Sequence, residues 1–525
     1  MTRGARLTVL LGLVMFSGIF WAVGSRSAVV IDGTRYHFLD DDQMISMRYA
    51  RNVAEGQGAV WNPDGERVEG YTNFGWMAVM SAVHRLGATD ARAALWVRAI
   101  NWMLACLVLV LTARLLLTLG LGHGMPAAAV LLALTLSNEL LFWAVNGFET
   151  TLLTVLFLGG VLLALRDGRH GRLGAATCVV AGLLPVVRAV AVDLAAAVVL
   201  TAVAVGARRR LWLVGLAAAP LVANEVFRLA YYGDWLPNTY YLKVAGRSGL
   251  LRAGLGNVKG FFAAYAVAVA FAAAACIGTA DRRLRVIGCL IAFGFVRLLL
   301  VGPDIFPGFR FLAPYIPLLL VAAAAAASLA REPMTRHAMA AALLLATVFN
   351  AGVSGTEGLR NLVSLNGRPA VNTVTGVLLN RHAMPTSTIA VAAAGCLPYF
   401  SRLTAIDLLG KSDRHVARIA PATPEGTGHN RFDIDWSLRS KPDFVSSPGS
   451  YALASKDERV LQALNYRPSL HYGAALLMNP TFLAEYREHP VPVAFLMEQN
   501  AVFVHAQSPE LARFSEWDTP LVRYP

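Results

Sequence analysis

Long apolar runs, separated by short basic segments, dominate the first two thirds of the chain. Each run is close to the roughly 20 residues that a helix needs to cross a bilayer. The pattern therefore predicts a polytopic α-helical membrane protein, although Pro185, Arg188 and Asp193 interrupt two neighbouring runs. We expect about eleven transmembrane helices, at residues 6–23, 94–119, 125–144, 149–166, 171–188, 189–206, 211–231, 259–278, 284–302, 311–330 and 336–353.

Clusters of arginine between these runs set the predicted orientation. They lie at residues 3–6, 166–172, 208–210, 281–285 and 331–336, and positive charge in short loops favours the cytoplasmic side. The first run follows a basic segment, as in a signal peptide, but its length and the later spans favour an uncleaved helix. We therefore expect a multi-pass plasma-membrane protein with the extracytoplasmic segments 24–93, 232–258, 303–310 and everything after 354.

Composition agrees with a membrane protein and argues against a nucleic-acid-binding one. The chain is 56% hydrophobic and only 15% charged, well below the roughly 25% charge of soluble proteins. The net charge of +13 comes from loop arginines, which serve as topology signals and contacts with anionic lipids. Membrane lipids, and not nucleic acid, are the predicted partners. The five cysteines lack metal-ligand spacing and predict no disulfide.

The character of the sequence changes near Gly355. Strand-length apolar runs at 387–394, 403–408, 443–447, 493–496 and 501–505 are punctuated by glycine and proline, and 478–489 has a helical pattern. The chain is thus divided into a transmembrane module, 1–354, and a soluble extracytoplasmic α/β domain, 355–525. No G-x-G-x-x-G follows the first strand, so a dinucleotide site is unsupported.

Three consecutive carboxylates, Asp40, Asp41 and Asp42, open the first predicted outer loop. Adjacent like charges disfavour joint ionisation, so such a cluster usually faces a cation, a proton or a reacting group. A carboxylate here could act as a general base or hold a divalent cation against a phosphate. The alternative is a solvated turn. Nothing in the sequence requires a cofactor or a metal, although a divalent cation is compatible with it.

Several other polar residues lie at predicted outer positions, each with a structural alternative. Glu69, Tyr71 and Asn73 suit a carbohydrate site or a turn. Glu149 is a ligand candidate or a helix-capping acid, and Arg188 could pair with Asp193 or face a cavity. Asn238, Tyr240 and Lys243 lie in an aromatic loop in which Lys243 could hold a phosphate; the alternative is an ordinary aromatic belt with a snorkelling lysine. Arg310, at the top of a predicted span, is a candidate for binding an anionic headgroup. In the tail, Asp407, Asp413 and His429 lie at the ends of predicted strands, where functional sites often lie. The alternative is that they cap loops.

Several stretches together resemble the mycobacterial terminal β-(1→2) arabinofuranosyltransferase family, some relatives of which are labelled flagellar motor control proteins. In the first loop they are 41–52 (DDQMISMRYARN), 55–58 (EGQG), 61–63 (WNP) and 68–76 (VEGYTNFGW). Later stretches fit in the same order: 146–150 (NGFET), 232–243 (YGDWLPNTYYLK), 310–314 (RFLAP) and 406–413 (IDLLGKSD).

The resemblance implies the GT-C fold of membrane glycosyltransferases, which take a sugar from a polyprenyl-phosphate carrier at the outer face. It implies decaprenylphosphoryl-arabinofuranose as donor and cell-envelope arabinan as glycan acceptor. The family's essential acidic pair corresponds to Asp41 and Asp42, not Asp40. The substrate-binding residues that we expect on this basis are Arg48, Glu69, Tyr71, Asn73, Glu149, Arg188, Asn238, Tyr240, Lys243 and Arg310.

The predicted reaction is an inverting transfer, with Asp41 as base, Asp42 assisting, and Lys243 and Arg310 holding the lipid phosphate. One alternative is the same chemistry with another sugar and a protein or lipid acceptor. Others are a transporter of the lipid-linked sugar, and a non-catalytic membrane scaffold. Transporters tend to carry repeated halves, and no such repeat is evident in the sequence.

Overall fold

The structure is a computed structural model. It describes residues 3–208, 211–244, 250–301, 306, 308–363, 367–423, 428–446, 471–490, 501–514, 517 and 522–523. The strand predicted at 493–496 lies outside these residues. By internal contacts the chain separates into two compact units. The helical unit comprises Met1–Gly24, Arg98–Val226 and Gly249–Val363, and the sheet unit comprises Ser25–Val97, Phe227–Ser248 and Ser364–Pro525.

Helices account for most of the described secondary structure. They are α1 (Arg3–Gly24), α2 (Asp41–Ala54), α3 (Phe74–Arg85), α4 (Asp90–Thr118), α5 (Gly124–Thr135), α6 (Asn138–Val145), α7 (Thr150–Arg169), α8 (Ala175–Val187), α9 (Val192–Ala204), α10 (Leu211–Tyr232), α11 (Asn238–Lys243), α12 (Leu250–Ala264), α13 (Ala266–Gly278), α14 (Arg282–Val301), α15 (Ile316–Leu329), α16 (Pro333–Val363), α17 (Arg368–His382), α18 (Cys396–Ser401), α19 (Arg414–Arg418), α20 (Ile434–Leu438), α21 (Tyr472–Leu477), α22 (Pro480–Glu485) and α23 (Glu510–Phe514). Short 3-10 turns occur at Ala189–Ala191 and Ala313–Tyr315.

A helix covers each predicted transmembrane run, but fewer than eleven are long and apolar enough to span a bilayer. Within the described ranges five qualify: Gly4–Gly24, Asp90–Thr118, Gly124–Val145, Thr150–Arg169 and Trp212–Tyr232. The pair Gly254–Ala264 and Ala266–Gly278, bent by 89°, would make a sixth. The helices α8, α9 and α15 belong to apolar segments that are shorter. The count of eleven is therefore not confirmed, because bends and breaks shorten several predicted spans.

The helical unit has a continuous apolar core built largely from small side chains. Helix α15 is buried along almost its whole length, and Ala322–Ala325 are essentially inaccessible. It packs against α13, which is also rich in alanine. Small residues let two helix backbones approach closely, as is common where helices associate within a membrane.

Two ion pairs join charged residues inside the helical unit. Arg188 pairs with Glu149, and Arg297 pairs with Asp193. The suggestion that Arg188 and Asp193 pair with each other is therefore wrong. Glu149 occupies the N-cap position of α7 without a side-chain capping bond. Its carboxylate meets the guanidinium of Arg188 because an ionised group away from water needs a partner of opposite charge.

Two sheets organise the sheet unit. In the described residues β3 (Thr388–Val391), β4 (Thr404–Asp407), β5 (Phe444–Ser446), β6 (Tyr486–Pro490) and β7 (Ala501–His505) form one sheet in the order β4-β3-β5-β7-β6. Strand β3 runs parallel to both β4 and β5, whereas β7 is antiparallel to β5 and β6. A second sheet joins β1 (Ala28–Ile31) to β2 (Thr34–His37) and to β8 (Val522–Arg523).

The first outer loop groups with the C-terminal segment, whereas the predicted domain division places it in the transmembrane module. Residues 25–97 share the sheet unit with residues 364–525, partly because β1 pairs with β8. The predicted helix at 478–489 is only partly right. Helix α22 ends at Glu485, and Tyr486–Pro490 instead pair with β7 as an edge strand.

Candidate active site

The carboxylate cluster lies at the start of helix α2 in the sheet unit. Asp40 is the N-cap, and its Oδ1 accepts a hydrogen bond of 3.0 Å from the backbone N–H of Asp42. Asp41 and Asp42 occupy the first turn, where the exposed N–H groups and the helix dipole favour negative charge. The local sequence therefore explains why the three acids fold as a helix start rather than as an irregular turn.

Helix α2 is anchored by buried arginines that donate to backbone carbonyls. Arg48 is 1% exposed. It donates to the carbonyls of Trp61 at 2.6 Å and Leu403 at 2.8 Å, and also to that of Pro398. One turn further on, Arg51 donates to the carbonyl of Tyr399 at 2.6 Å. These bonds fix the axial position of α2, and with it the orientation of its first turn.

Asp41 is held by the loop that follows β3. Its two carboxylate oxygens accept backbone N–H groups from Gly395 at 3.2 Å and Cys396 at 2.9 Å, at the start of α18. A Cβ on Gly395 would collide with the backbone oxygen of Asp41, so this approach requires glycine. Each carboxylate oxygen has a second lone pair, so Asp41 can still accept a proton or a hydrogen bond.

Asp42 forms an ion pair with Lys411. The Lys411 ammonium lies 3.0 Å from Asp42 Oδ1. The Lys411 side chain is 6% exposed and that of Asp42 is 21% exposed, so the pair is shielded on the lysine side and open on the carboxylate side. The Asp42 carboxylate therefore combines a fixed counter-ion with access to a reactant.

The loop that carries Lys411 is clamped from two sides. Asp407, at the end of β4, accepts the backbone N–H groups of Leu409 at 3.0 Å and Ser412 at 2.7 Å. Asn238, at the start of α11, donates to the carbonyls of Gly410 at 2.9 Å and Lys411 at 3.2 Å. Both clamping side chains are almost completely buried. The position of Lys411 is therefore determined by its backbone as well as by its ion pair.

Two further cationic or titratable side chains act on Asp42. The positive charge of Lys243, at the end of α11, and His429 both interact electrostatically with its carboxylate. The Lys243 side chain runs past Gly428, where an added Cβ would lie 3.0 Å from its Cε. The structure thus brings together Asp41, Asp42 and Lys243 of the predicted site, with His429 of the tail candidates.

The three aspartates differ in proton affinity. Burial and the charge of Asp42 raise the pKa of Asp40 to about 7. Burial also raises the pKa of Asp41, although Lys411 and the two backbone N–H groups oppose the rise. Burial would raise the pKa of Asp42 too, but the charges of Lys411 and Lys243 outweigh it and hold this pKa below its usual range. Neighbouring carboxylates with pKa values pushed apart are typical of acid–base sites.

We predict that Asp40→Asn removes a pH dependence of stability between about pH 4 and pH 7. Because the folded pKa of about 7 exceeds the ordinary 3.8, folded Asp40 retains a proton that the unfolded chain releases. Its contribution to stability is therefore full below pH 4 and is lost as the pH rises towards 7. Asparagine keeps the N-cap acceptor, so the variant should gain at least about 1.4 kcal/mol relative to wild type between pH 5 and pH 8, the equivalent of one pKa unit.

Thermal unfolding of both purified proteins across this pH range would test the Asp40 prediction. Asp64→Asn, in the same loop but at an exposed position, provides a control for the removal of one charge. Parallel curves for wild type and Asp40→Asn would contradict the assignment of the titration to Asp40.

Four predicted substrate-binding residues have protein partners. Arg48 anchors α2, as described above. Glu69 forms a buried ion pair with Arg228, 2.5 Å from Oε2 to Nε. The Tyr71 hydroxyl lies 3.0 Å from that of Tyr232. Asn73 accepts a bond from Ser46 and donates to Gln43. Their partners indicate that these residues hold the first loop and α2 in place.

The other predicted site residues are distributed over both units. In the sheet unit Asn238 is buried as a loop clamp, while Tyr240 is 38% exposed on α11. In the helical unit Glu149 pairs with Arg188, and the guanidinium of Arg310 lies 5.1–5.7 Å from several aromatic ring centroids. Those rings belong to Trp143, Phe148, Phe306 and Phe311.

The site has no evident metal-binding cluster. Over the described residues, no three His, Cys, Asp or Glu side chains converge to hold an ion. The cation that Asp42 meets is Lys411, and both oxygens of Asp41 accept backbone N–H groups. This donor set fits a divalent ion poorly, because an ammonium already occupies the place beside Asp42.

Comparison with solved structures relates the fold to membrane glycosyltransferases. The chain matches ArnT from Cupriavidus metallidurans bound to undecaprenyl phosphate, with a TM-score of 0.57 and 14% identity, over 94% of this chain and 98% of ArnT. It matches the oligosaccharyltransferase AglB from Archaeoglobus fulgidus, in complex with an inhibitory peptide and a dolichol-phosphate. The TM-score is 0.53 and the identity 11%, over 97% of this chain and 75% of AglB. It also matches the arabinofuranosyltransferase AftD from Mycobacteria, with a TM-score of 0.51 and 14% identity, over 97% of this chain and 40% of AftD.

The chain has a GT-C-like fold. At these identities the likeness concerns the fold alone. A sequence family described as a domain of unknown function (DUF8728) matches residues 365–494. No curated protein sequence matches the chain.

Lys411 is the functional candidate that the sequence did not single out. Its stretch, 406–413, was noted for its resemblance, but a lysine in a polar loop gives no local sign of a partner 369 residues away. Asp407 and Asp413 fit the loop-capping alternative. Asp413 caps α19 by accepting the Val416 N–H at 2.8 Å.

Proposed function

We propose that the chain is a membrane glycosyltransferase that transfers a sugar from a polyprenyl-phosphate donor to a cell-envelope glycan at the outer face of the plasma membrane. The proposed sugar is arabinofuranose. The observation that carries the proposal is the carboxylate pair Asp41 and Asp42, held on one helix start beside Lys411 and Lys243. The GT-C-like fold, shared with a structure of ArnT bound to undecaprenyl phosphate, supports a lipid-linked donor.

The proposed chemistry is a single displacement at the anomeric carbon. An acceptor hydroxyl gives its proton to the Asp41 carboxylate as its oxygen forms the new glycosidic bond. The bond from the anomeric carbon to the phosphate oxygen breaks, and its electron pair leaves with the polyprenyl phosphate. Burial makes Asp41 a stronger base than an exposed carboxylate. A displacement of this kind inverts the anomeric configuration.

Positive charge near the carboxylates would stabilise the leaving phosphate. Lys243, in the same unit as Asp41 and Asp42, is the proposed ligand, since preorganised cations lower the cost of developing charge. Arg310 belongs to the helical unit, and its phosphate role stays a prediction. Arg48, Glu69, Tyr71, Asn73 and Asn238 would shape the site indirectly, by holding α2 and the loops around it.

The test supplies membranes that contain the chain with polyprenyl-phosphate sugars labelled in the sugar, one donor at a time. Glycan, lipid and peptide acceptors are offered in separate reactions. We expect label to move from the arabinofuranose donor onto the glycan, with the opposite anomeric configuration in the product. Transfer from another donor, or onto lipid or peptide, would revise the substrates. Retained configuration would contradict the single displacement, and no transfer from any donor would contradict the function.

A further inference from the structure

The C-terminal segment supplies the backbone hydrogen bonds and the ion pair that fix the two proposed catalytic carboxylates. Asp41 accepts the N–H groups of Gly395 and Cys396, and Asp42 pairs with Lys411. These donors lie in residues 365–494, which match only a domain of unknown function. A domain used solely to recognise an acceptor would have no reason to contact the reacting groups of another loop.

Resting on the proposed function, we propose that Lys411 is a positioning residue that holds Asp42 ionised and in one orientation during transfer. The C-terminal segment is then part of the catalytic machinery. An ammonium has three N–H donors, so Lys411 can keep its bond to Asp42 while other acceptors enter the site. Its ion pair joins a shielded lysine to a carboxylate that retains 21% exposure.

The hydrogen bonds that hold the Lys411 loop are more extensive than the stability of the fold alone would require. Isolated surface ion pairs contribute roughly 0–1 kcal/mol, and a buried pair often stabilises no better than apolar side chains of the same volume. Here Asp407 and Asn238 clamp the backbone on both sides of the lysine. Such preorganisation of a charged side chain next to reactive groups is typical of functional sites.

The charges around Lys411 and Asp42 determine how the loss of the Lys411 charge changes the pKa of Asp42. Burial alone would lower the pKa of Lys411, but Asp42, Asp41 and Asp407 raise it above its usual range, so the lysine stays protonated. Removing that charge raises the pKa of Asp42, because burial and the neighbouring acids then act with less opposition. Within the part of the chain that the structure describes, the charged and titratable groups that act on Asp42 include Asp40, Asp41, Lys243, Lys411 and His429.

The experiment compares the pH profile of kcat for wild type, Lys411→Met and Lys411→Arg in the full-length protein. We expect the acidic limb of the methionine variant to move upward by about one pH unit or more. On the acidic side of that limb its kcat should fall by about tenfold, the equivalent of one pKa unit, with recovery towards the wild-type value above the limb. The arginine variant keeps the charge and should retain the wild-type limb. Lys441→Met removes an exposed lysine of the same unit and should change neither limb nor kcat.

These outcomes distinguish a positioning role of Lys411 in transfer from a purely structural role. A methionine variant that loses thermal stability but keeps the wild-type pH limb would overturn the proposal. If that variant does not fold, Lys411→Gln, which keeps an N–H donor, takes its place with the same expectation. If wild type transfers no sugar, the proposed function fails instead. The pH dependence of thermal unfolding in Lys411→Met then tests the effect of the Lys411 charge on Asp42 and the neighbouring carboxylates without any transfer, and an unshifted acidic transition would overturn the proposal.

Discussion

Asp41→Asn is expected to lower the rate of sugar transfer by about 10²–10⁴-fold, the range typical of losing a general base. Asparagine has nearly the shape of aspartate, and its carbonyl oxygen can still accept one of the two N–H groups from Gly395 and Cys396. It cannot accept the proton of the acceptor hydroxyl. The loss should fall on kcat, with little change in KM for the lipid donor, and initial rates with a labelled donor measure it.

Two further variants sharpen the Asp41 prediction. Asp433→Asn is a matched control, because Asp433 also caps a helix of the sheet unit by accepting a backbone N–H, from Trp436 at 3.0 Å. Its transfer rate should stay within about threefold of wild type, since a capping asparagine replaces aspartate well. Asp42→Asn should also impair transfer. If only Asp42→Asn abolishes it, Asp42 is the base; if neither variant does, the catalytic assignment fails.

Glu69→Gln is expected to destabilise the protein by about 3–5 kcal/mol, the usual cost of removing one member of a buried ion pair. Glu69 and Arg228 are each 5% exposed, and Nε lies 2.5 Å from Oε2. The variant leaves the guanidinium of Arg228 without its carboxylate. Thermal unfolding should show a large drop in melting temperature, whereas KM for the sugar donor should be unchanged in the protein that remains folded.

A double variant and a surface control distinguish this structural role of Glu69 from sugar binding. Glu69→Gln with Arg228→Gln removes both charges and should recover much of the lost stability. Glu66→Gln, in the same loop but 57% exposed, should cost no more than about 1 kcal/mol. A raised KM for the donor at wild-type stability would instead support the sugar contact that the sequence suggested.

The helices and strands that could be predicted are those whose own residues show a clear apolar pattern. The run 501–505 is apolar and of strand length, and it forms β7 as expected. Ile45, Tyr49 and Val53 recur at four-residue spacing and lie on α2. The helix predicted at 478–489 failed in its second half because Tyr486–Pro490 pair with β7. Strand pairing between distant segments overrides a local helical pattern.

The sequence pointed to the acidic residues of the candidate site but not to the groups that bind them. The run of three acids, Asp40, Asp41 and Asp42, is unusual in itself, and the family resemblance selects Asp41 and Asp42 from it. The N–H groups that bind Asp41 lie 354 and 355 residues away and belong to the backbone, which carries no residue-specific signal. Likewise, Glu69 resembled a sugar ligand because Arg228, 159 residues further along, gives no sign in sequence that the two meet.

The pairing of β1 with β8 has a consequence for biosynthesis. Val30 and Ile31 face Arg523 and Val522, and the contacts of Asp41 likewise await residues 395 and 396. Chains fold progressively as they are synthesised, but these early segments cannot reach their final arrangement until the late ones have emerged. A chain that stops before residue 395 would carry the acidic pair without its supporting groups. Assembly of the candidate site is thus coupled to the arrival of the C-terminal segment beside the first loop.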